Sequence, residues 1–545
     1  MIGRGDIRAG IRLVSALPRF LRHRFTPAQA RAILQERLTR RAADFLSLTR
    51  RTVFAQPGSP YRALLRHAGC EFGDLARLVE RDGLEGALGE LRRQGVYLTI
   101  EEFKGRRPVV RGSTRLDVEP AQLRNPLSSV YLHSHSSGSR GPRTAVGTDL
   151  AVIRDHAVDA AIFLDARRGL GWRHALWGVP GGFALDVMLR LAAGGATPVR
   201  WFSQIDPGSP GLHPRYRWSA RALRWTSRVA GVPLPPPEFA SLEQPLNVAR
   251  WMSETLSRGE VPALFTFPTS AVRLCETAAD AALSLRGAKL WITGEPITAR
   301  RLGVFDAAGA DVAGQYGSSE GGGPVAYGCL HPERRAELHL LSDLHALVQA
   351  GASVGGPEDL PPKALLYSSL RDTAPFVLLN VAIGDQADVE PAACDCPLAR
   401  VGWDRTLRGV RSYTKLTVGG MSVLDTDMLW ALEDTLPGRF GGGPTDYQIV
   451  EDEDAGGHPL IRLRVHPRLG PIDPQALAEA LLSAIGGGQG VERVVEMAWR
   501  DAGIVQVERR APVVTETGKI RHRLLGRTKD QARAPGHALE RWPGP

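Results

Sequence analysis

Apolar positions at the start of the chain recur at helical spacing. Ile7, Ile11 and Val14 form one stripe, and Arg4, Arg8 and Arg12 form another. Thr26 followed by Pro27 marks a second helix start, and the pattern continues from Ala28 to Ser47. Pro57-Gly58-Ser59-Pro60 is a boundary, after which Leu64, Leu65, Phe72, Leu75 and Leu78 give helices again. Ser129 to Leu132 and Val261 to Thr266 read as strands, and Ser270 to Ser284 reads as a helix. Residues 148–202 alternate helical and apolar stretches, and Ser203 to Glu238 is Pro-rich and loop-like. Ala288 to Thr293, Ala310 to Ala313 and Phe376 to Val381 are further strand-like runs. This β/α alternation predicts a large layered α/β domain. The remainder predicts a compact α+β domain: Val423 to Leu436 and Ala476 to Ile485 as helices, with Tyr447 to Glu451, Pro459 to His466 and Ile504 to Val507 as strands.

A chain of 545 residues exceeds one usual domain. The expected division is a basic helical extension over 1–55, a large domain over 56–410, a small domain over 411–530 and a flexible tail over 531–545. Net charge is +10, and of the 68 basic residues only six are lysines, so the positive balance is an arginine bias. No RNA-recognition motif, zinc finger or heptad array accompanies it, so no nucleic-acid partner is expected. No run of 18 apolar residues predicts a spanning helix, and the start lacks signal-peptide organisation. The five cysteines at irregular spacing do not form a secreted disulfide framework. A cytoplasmic location is expected. The basic start is read as helices packed on the main body, with a docking surface for a partner protein or an anionic membrane as the sharper alternative.

Gln315-Tyr316-Gly317-Ser318-Ser319-Glu320 follows the Ala310–Ala313 run, and Gly294-Glu295-Pro296 closes the preceding strand. A Gly-rich polar turn at a strand end brings backbone donors close to a ligand; the Tyr316 ring can stack and the Glu320 carboxylate can hold a cation. The stretch resembles the adenine-binding and acid-bearing motif of adenylate-forming enzymes, most nearly phenylacetate–CoA ligases and coenzyme F390 synthetases. The resemblance implies that Tyr316 stacks on adenine and Glu320 holds Mg²⁺ on ATP.

Further motifs follow in the family's order. Ser136-Ser137-Gly138-Ser139-Arg140-Gly141 resembles its phosphate loop; Pro142 stands where lysine is usual, and Arg143 where proline is. Ile383-Gly384-Asp385 matches the end of the Arg-Tyr-Arg-Thr-Gly-Asp pattern without its arginines, and Asp385 is implied to hold the ribose hydroxyls. Arg411, nine residues before Gly420, resembles the domain junction and is implied to contact ribose or phosphate. Thr517-Gly518-Lys519-Ile520-Arg521 resembles the C-terminal Gly-Lys loop; Lys519 offers a compact ammonium for charge developing at the α-phosphate. The segment from Tyr61 to Phe103-Lys104 is similar to the family's N-terminal part. Trp172, His174, Trp177 and Pro180-Gly181-Gly182 are read as core or turn residues more readily than as acyl-pocket lining.

Cys394-Asp395-Cys396 can place two thiolates on one metal, with a distant Cys and His completing a tetrahedron. The resemblance to zinc-bearing relatives selects Cys329, His339, Cys394 and Cys396, with His339 preferred to His331. The resemblance also implies a mobile C-terminal domain and AMP-forming ligase chemistry: a small carboxylic acid and MgATP give an acyl-adenylate and pyrophosphate, and coenzyme A takes the acyl group. A carrier-protein thiol or an amine as acceptor, or a non-catalytic nucleotide-binding relative, are the alternatives. A homodimer is expected from general frequency alone.

Overall fold

The computed structural model describes residues 4–128, 132–135, 145–178, 181–204, 206–208, 214–241, 245–295, 297–351, 360–412, 415–418, 421–453, 459–486, 499–500, 503–513 and 523–525. The chain forms two units, Met1–Tyr413 and Thr414–Pro545.

The first unit is built on a twelve-stranded sheet. Its strands are β1 (Arg173–Gly178), β2 (Arg200–Ser203), β3 (Pro237–Phe239), β4 (Pro262–Thr266), β5 (Lys289–Thr293) and β6 (Asp311–Ser318). They continue as β7 (Gly323–Gly328), β8 (Leu338–Leu340), β9 (His345–Gln349), β10 (Ala364–Ser369), β11 (Val381–Pro391) and β12 (Arg405–Ser412). One half runs β3-β2-β1-β4-β5-β6 and is parallel throughout. The other runs β7-β8-β12-β11-β10-β9 and is antiparallel, joined to the first through the antiparallel β6–β7 pair.

Strand alternation sorts the parallel half into two cores. Leu176, Trp201, Phe265, Trp291 and Ala313 face the helices Leu150–Ala166 and Gly182–Ala193. Their neighbours Trp177, Phe202, Leu264, Leu290 and Val312 face Leu246–Ser257, Pro268–Asp280 and Ala299–Ala307. Burial of each large side chain contributes about 1.5–3 kcal/mol. A one-residue slip would send every one of them to the wrong face, so the register is tightly specified.

The described part of the basic stretch, residues 4–55, is built into this unit. Thr26 and Gln29 form a capping box that starts the helix Pro27–Thr49, with Pro27 at its first turn. Leu17, Leu21, Ala30 and Leu34 join the core around Phe163 and Trp291. Arg37 from the same helix is buried against Asp155, Asp159 and Asp343. Burial pushes the Asp159 and Asp343 carboxyls up to about 7, and the Arg37 guanidinium opposes that rise.

Two sequence expectations in this unit are corrected. The Pro-rich 203–238 region contains a helix, Pro214–Val229, because Leu223, Ala230 and Val232 reach the core. The Phe376–Asn380 run is a buried loop before β11: Phe376 makes only an isolated bridge to Arg124, and Asn380 adopts positive φ. Apolarity there reflects packing against the helix Phe72–Arg93, not strand pairing.

The second unit has the sheet order Val505–Arg509, Pro459–Val465, Tyr447–Glu453, Arg523–Leu525. Met428, Leu432, Leu436, Leu477 and Leu481 cover it. Val423 and Leu424, expected to open a helix, instead belong to the strand Met421–Leu424, which pairs antiparallel with Lys415–Val418.

Candidate functional site

The site lies where the parallel half of the sheet meets the antiparallel half. Thr293 at the end of β5 is in register with Gln315 of β6, which sets Gly294 beside Tyr316. The Thr293 hydroxyl donates to the Gln315 carbonyl at 3.0 Å, and Arg190 donates to the Gln315 side chain at 3.1 Å. The strand therefore continues through Ser318, beyond the Ala310–Ala313 run that apolarity marks. A bulge between Tyr316 and Gly317 re-aims the chain. Gly317 is required there, since a Cβ would lie 2.6 Å from the Gly323 carbonyl oxygen. The turn after it closes when the Gly321 N–H donates to the Ser318 hydroxyl at 2.8 Å.

This geometry joins residues distant in sequence. The Tyr316 hydroxyl donates to Asp385 Oδ2 at 2.7 Å and also bonds the Tyr367 hydroxyl on β10. Asp385 pairs in register with Ser412 of β12, and Arg411 stands opposite the neighbouring Gln386. Tyr316, Asp385 and Arg411 thus occupy one end of the sheet. Burial pushes the Asp385 carboxyl up to about 6; the Tyr316 hydrogen bond favours the ionised form, and the nearby Glu320 charge opposes it.

Lys104, to which the sequence reading gave no role at this site, completes the cluster. Its Nζ donates to Glu320 Oε1 at 2.6 Å in a largely buried pair. Lys104 follows the short helix Ile100–Phe103, which is fixed by local chemistry. Thr99 accepts the Glu102 N–H, the Thr99 N–H donates back to the Glu102 carboxylate at 2.8 Å, and Arg111 donates to that carboxylate at 2.8 Å. Gly384 makes the approach feasible: its φ is +100°, and a Cβ there would meet Ile100 at 2.9 Å. The glycine before Asp385 therefore lets the Lys104 segment lie against the strand that carries the carboxylate.

The other expected site residues sort as follows. Gly294 lies in the turn after β5 with φ +83°. The Glu295 carboxylate accepts a 2.9 Å bond from the buried Arg301, so its side chain is drawn toward the helix Ala299–Ala307. Ser319 is exposed in the Glu320 turn. The His174 Nε2–H donates to the Gly169 carbonyl at 2.8 Å, and Trp177 donates to the Ala240 carbonyl at 3.2 Å; both are core residues. Ser136, Ser137, Gly138, Ser139, Gly141, Pro180, Pro296 and Lys519 lie outside the described residues.

A second cluster lies on the antiparallel half. Cys329 follows β7, His339 is on β8, and Cys394 and Cys396 lie between β11 and β12. Their donor atoms all fall within 4.8 Å of one another. His339 Nε2 is 3.3 Å from Cys394 Sγ and 3.2 Å from Cys396 Sγ, while Cys329 and Cys394 are 3.5 Å apart. The His339 Nδ1–H donates to the Trp403 carbonyl at 2.7 Å, which leaves Nε2 as the lone-pair nitrogen facing the thiols. Tetrahedral Zn²⁺ with bonds of about 2.0–2.3 Å spaces its ligand atoms roughly 3.3–3.8 Å apart, close to the 3.2–3.5 Å separations here, and three thiols with one imidazole are a donor set that zinc takes. His331 is exposed and its backbone N–H donates to Cys329 Sγ at 3.4 Å.

Two solved structures of 2-hydroxyisobutyryl-CoA ligase in the postadenylation state resemble this chain. One is in complex with R3-HIB-AMP and the other with 2-HIB-AMP; each is 15% identical, covers 91% of both chains and gives a TM-score of 0.54. The chain has the adenylate-forming fold. In that adenylate-forming architecture, Tyr316, Glu320 and Asp385 sit where two differently wound halves of one sheet meet. No protein-family model and no curated protein matches the chain. No helix among the described residues is long and apolar enough to cross a membrane.

Proposed function

We propose that the protein is an AMP-forming ligase that activates a small carboxylic acid with ATP and passes the acyl group to coenzyme A, within the adenylate-forming superfamily and nearest to phenylacetate–CoA ligases. The observation that carries this reading is the convergence of Tyr316, Asp385, Glu320 and Lys104 at one sheet end, within a fold shared with a ligase whose structures hold acyl-adenylates.

Tyr316 presents its ring to adenine while its hydroxyl orients Asp385 for the ribose hydroxyls. Arg411 supplies positive charge one register position away. Glu320 would hold Mg²⁺, which when bound neutralises phosphate charge. The acid needs no side-chain base, because it is already ionised at neutral pH. Its carboxylate oxygen attacks the α-phosphorus, the bond to the bridging oxygen breaks, and pyrophosphate leaves. Lys519 stabilises charge building at the α-phosphate. A thiolate then attacks the acyl carbon and AMP departs. Lys104 brings an ammonium to a site whose phosphate loop carries Pro142 at the usual lysine position.

The test is product analysis with a panel of aryl and aliphatic acids. AMP release that requires both one acid and coenzyme A supports the ligase. AMP release that requires a carrier protein or an amine instead reassigns the acceptor.

Asp385 gives the site a pH signature. Its carboxyl, raised to about 6, must be ionised to accept ribose hydroxyls. ATP affinity is expected to fall as pH drops through about 6, approaching tenfold per unit. Stability runs the other way. The folded protein binds this proton more tightly than the unfolded chain, so the contribution is full below about 4 and is lost as pH rises through about 6. Calorimetric titration with ATP from about pH 5 to 8 checks this. Asp385→Asn should bind weakly at every pH and show no break.

The Cys329, His339, Cys394 and Cys396 set would hold a structural Zn²⁺ that ties β8 to the segment between β11 and β12. No reaction step passes through it.

A further inference from the structure

The helix Pro214–Val229 has an outer face that its own core does not explain. Its inner side carries Leu223, Thr226 and Ser227, all buried. The outer side carries Trp218 and Trp225, which are 63% and 65% exposed, and Val229 at 48%. Arg221, Arg224 and Arg228 lie exposed between them. The two tryptophans are seven residues apart, two helical turns or about 10 Å along the axis, so they stand on the same side. The Arg221 guanidinium lies 5.8 Å from the Trp218 ring centre.

A second basic helix extends this surface. Arg4–Arg22 packs beside Pro214–Val229, and Arg22 donates to the Val229 carbonyl at 3.1 Å. It exposes Arg12, Arg19 and Arg22. Together the two helical sequences hold ten arginines, no lysine and one acid, Asp6. Leu17, Phe20 and Leu21 anchor the N-terminal helix in the core, so these charges are held by the fold.

We infer that these two helices form a docking face for an anionic lipid bilayer. A purely polar partner would be met by arginines alone and would leave two large indoles facing water. Indole rings favour the headgroup region, with an apolar body and a polar N–H, and arginines flanking them pair with anionic headgroups. The face lies on the surface of the bilayer and does not cross it. The role is independent of the ligase assignment.

The test is co-sedimentation with vesicles of phosphatidylcholine alone and of phosphatidylcholine with phosphatidylglycerol in equal parts. The native chain is expected to sediment with the anionic vesicles only, and to be released by raised salt. Arg221→Glu, Arg224→Glu and Arg228→Glu together should weaken binding by on the order of 100-fold. Trp218→Ser with Trp225→Ser should also weaken it, by at least tenfold. These side chains are exposed, and circular dichroism confirms that each variant is folded. Failure of the native chain to bind anionic vesicles overturns the inference. Loss of binding in the arginine variant with full binding in the tryptophan variant also overturns it, since the face would then be a purely electrostatic surface suited to an acidic protein.

Discussion

Glu320→Gln is expected to lower ATP–pyrophosphate exchange by about 10²–10³-fold, the loss typical of removing one preorganised electrostatic group. Glutamine keeps the size of the side chain and removes its charge. Two consequences follow from the 2.6 Å pair with Lys104. The cation site loses its carboxylate, so exchange should need far more Mg²⁺ for half-maximal rate. Lys104 loses a charge partner in a largely buried setting, so the variant should also melt earlier. Lys104→Met separates these effects. It should melt earlier too, but with a Mg²⁺ requirement that is unchanged or lower. The readout is exchange rate against Mg²⁺ concentration in the three proteins. Native exchange in Glu320→Gln would remove the carboxylate from the proposed chemistry.

Cys394→Ser with Cys396→Ser is expected to abolish stoichiometric zinc and to lower the melting temperature by about 10 °C or more. Structural Zn²⁺ in small sites contributes on the order of 10 kcal/mol, and each kcal/mol moves a domain of this class by roughly 2–4 °C. The fall should be large because the cluster ties β7 and β8 to the β11–β12 connection, which lies more than fifty residues further along the chain. The predicted signature is one zinc per native chain by elemental analysis, with a chelator lowering the native melting temperature toward that of the variant. A native chain without zinc that melts as the variant does would leave the cluster as a set of reduced thiols.

The legible and illegible parts of this protein divide on physical grounds. The inner strands of the parallel half were readable because they are bounded by turn residues and separated by stretches of helical periodicity; Pro262–Thr266 and Lys289–Thr293 fall where the apolar runs do, whereas Arg173–Gly178, Arg200–Ser203 and Pro237–Phe239 were not marked as strands. The metal cluster was readable in two steps: five cysteines are few and Cys394-Asp395-Cys396 offers two thiolates, while the resemblance to zinc-bearing relatives selected Cys329 and His339. The extension of β6 through Tyr316 and Ser318 was not, because Gly317 and the serines look like turn and the strand exists only through pairing with β7. Phe376–Asn380 failed in the opposite sense: its apolar side chains fill a core without entering the ladder. Lys104 was missed because its partner is 216 positions away and nothing local marks it. The one available signal was scarcity, since only six of the 68 basic residues are lysines.

Adenylation itself is open to a single assay, ATP–pyrophosphate exchange. Purified protein, MgATP, labelled pyrophosphate and a panel of aryl and fatty acids suffice, with Lys519→Ala as the control. Exchange with one acid, reduced at least tenfold in Lys519→Ala, is the predicted result. ATP binding with no exchange across the panel would contradict adenylation, and exchange that persists at the native rate in Lys519→Ala would remove Lys519 from it.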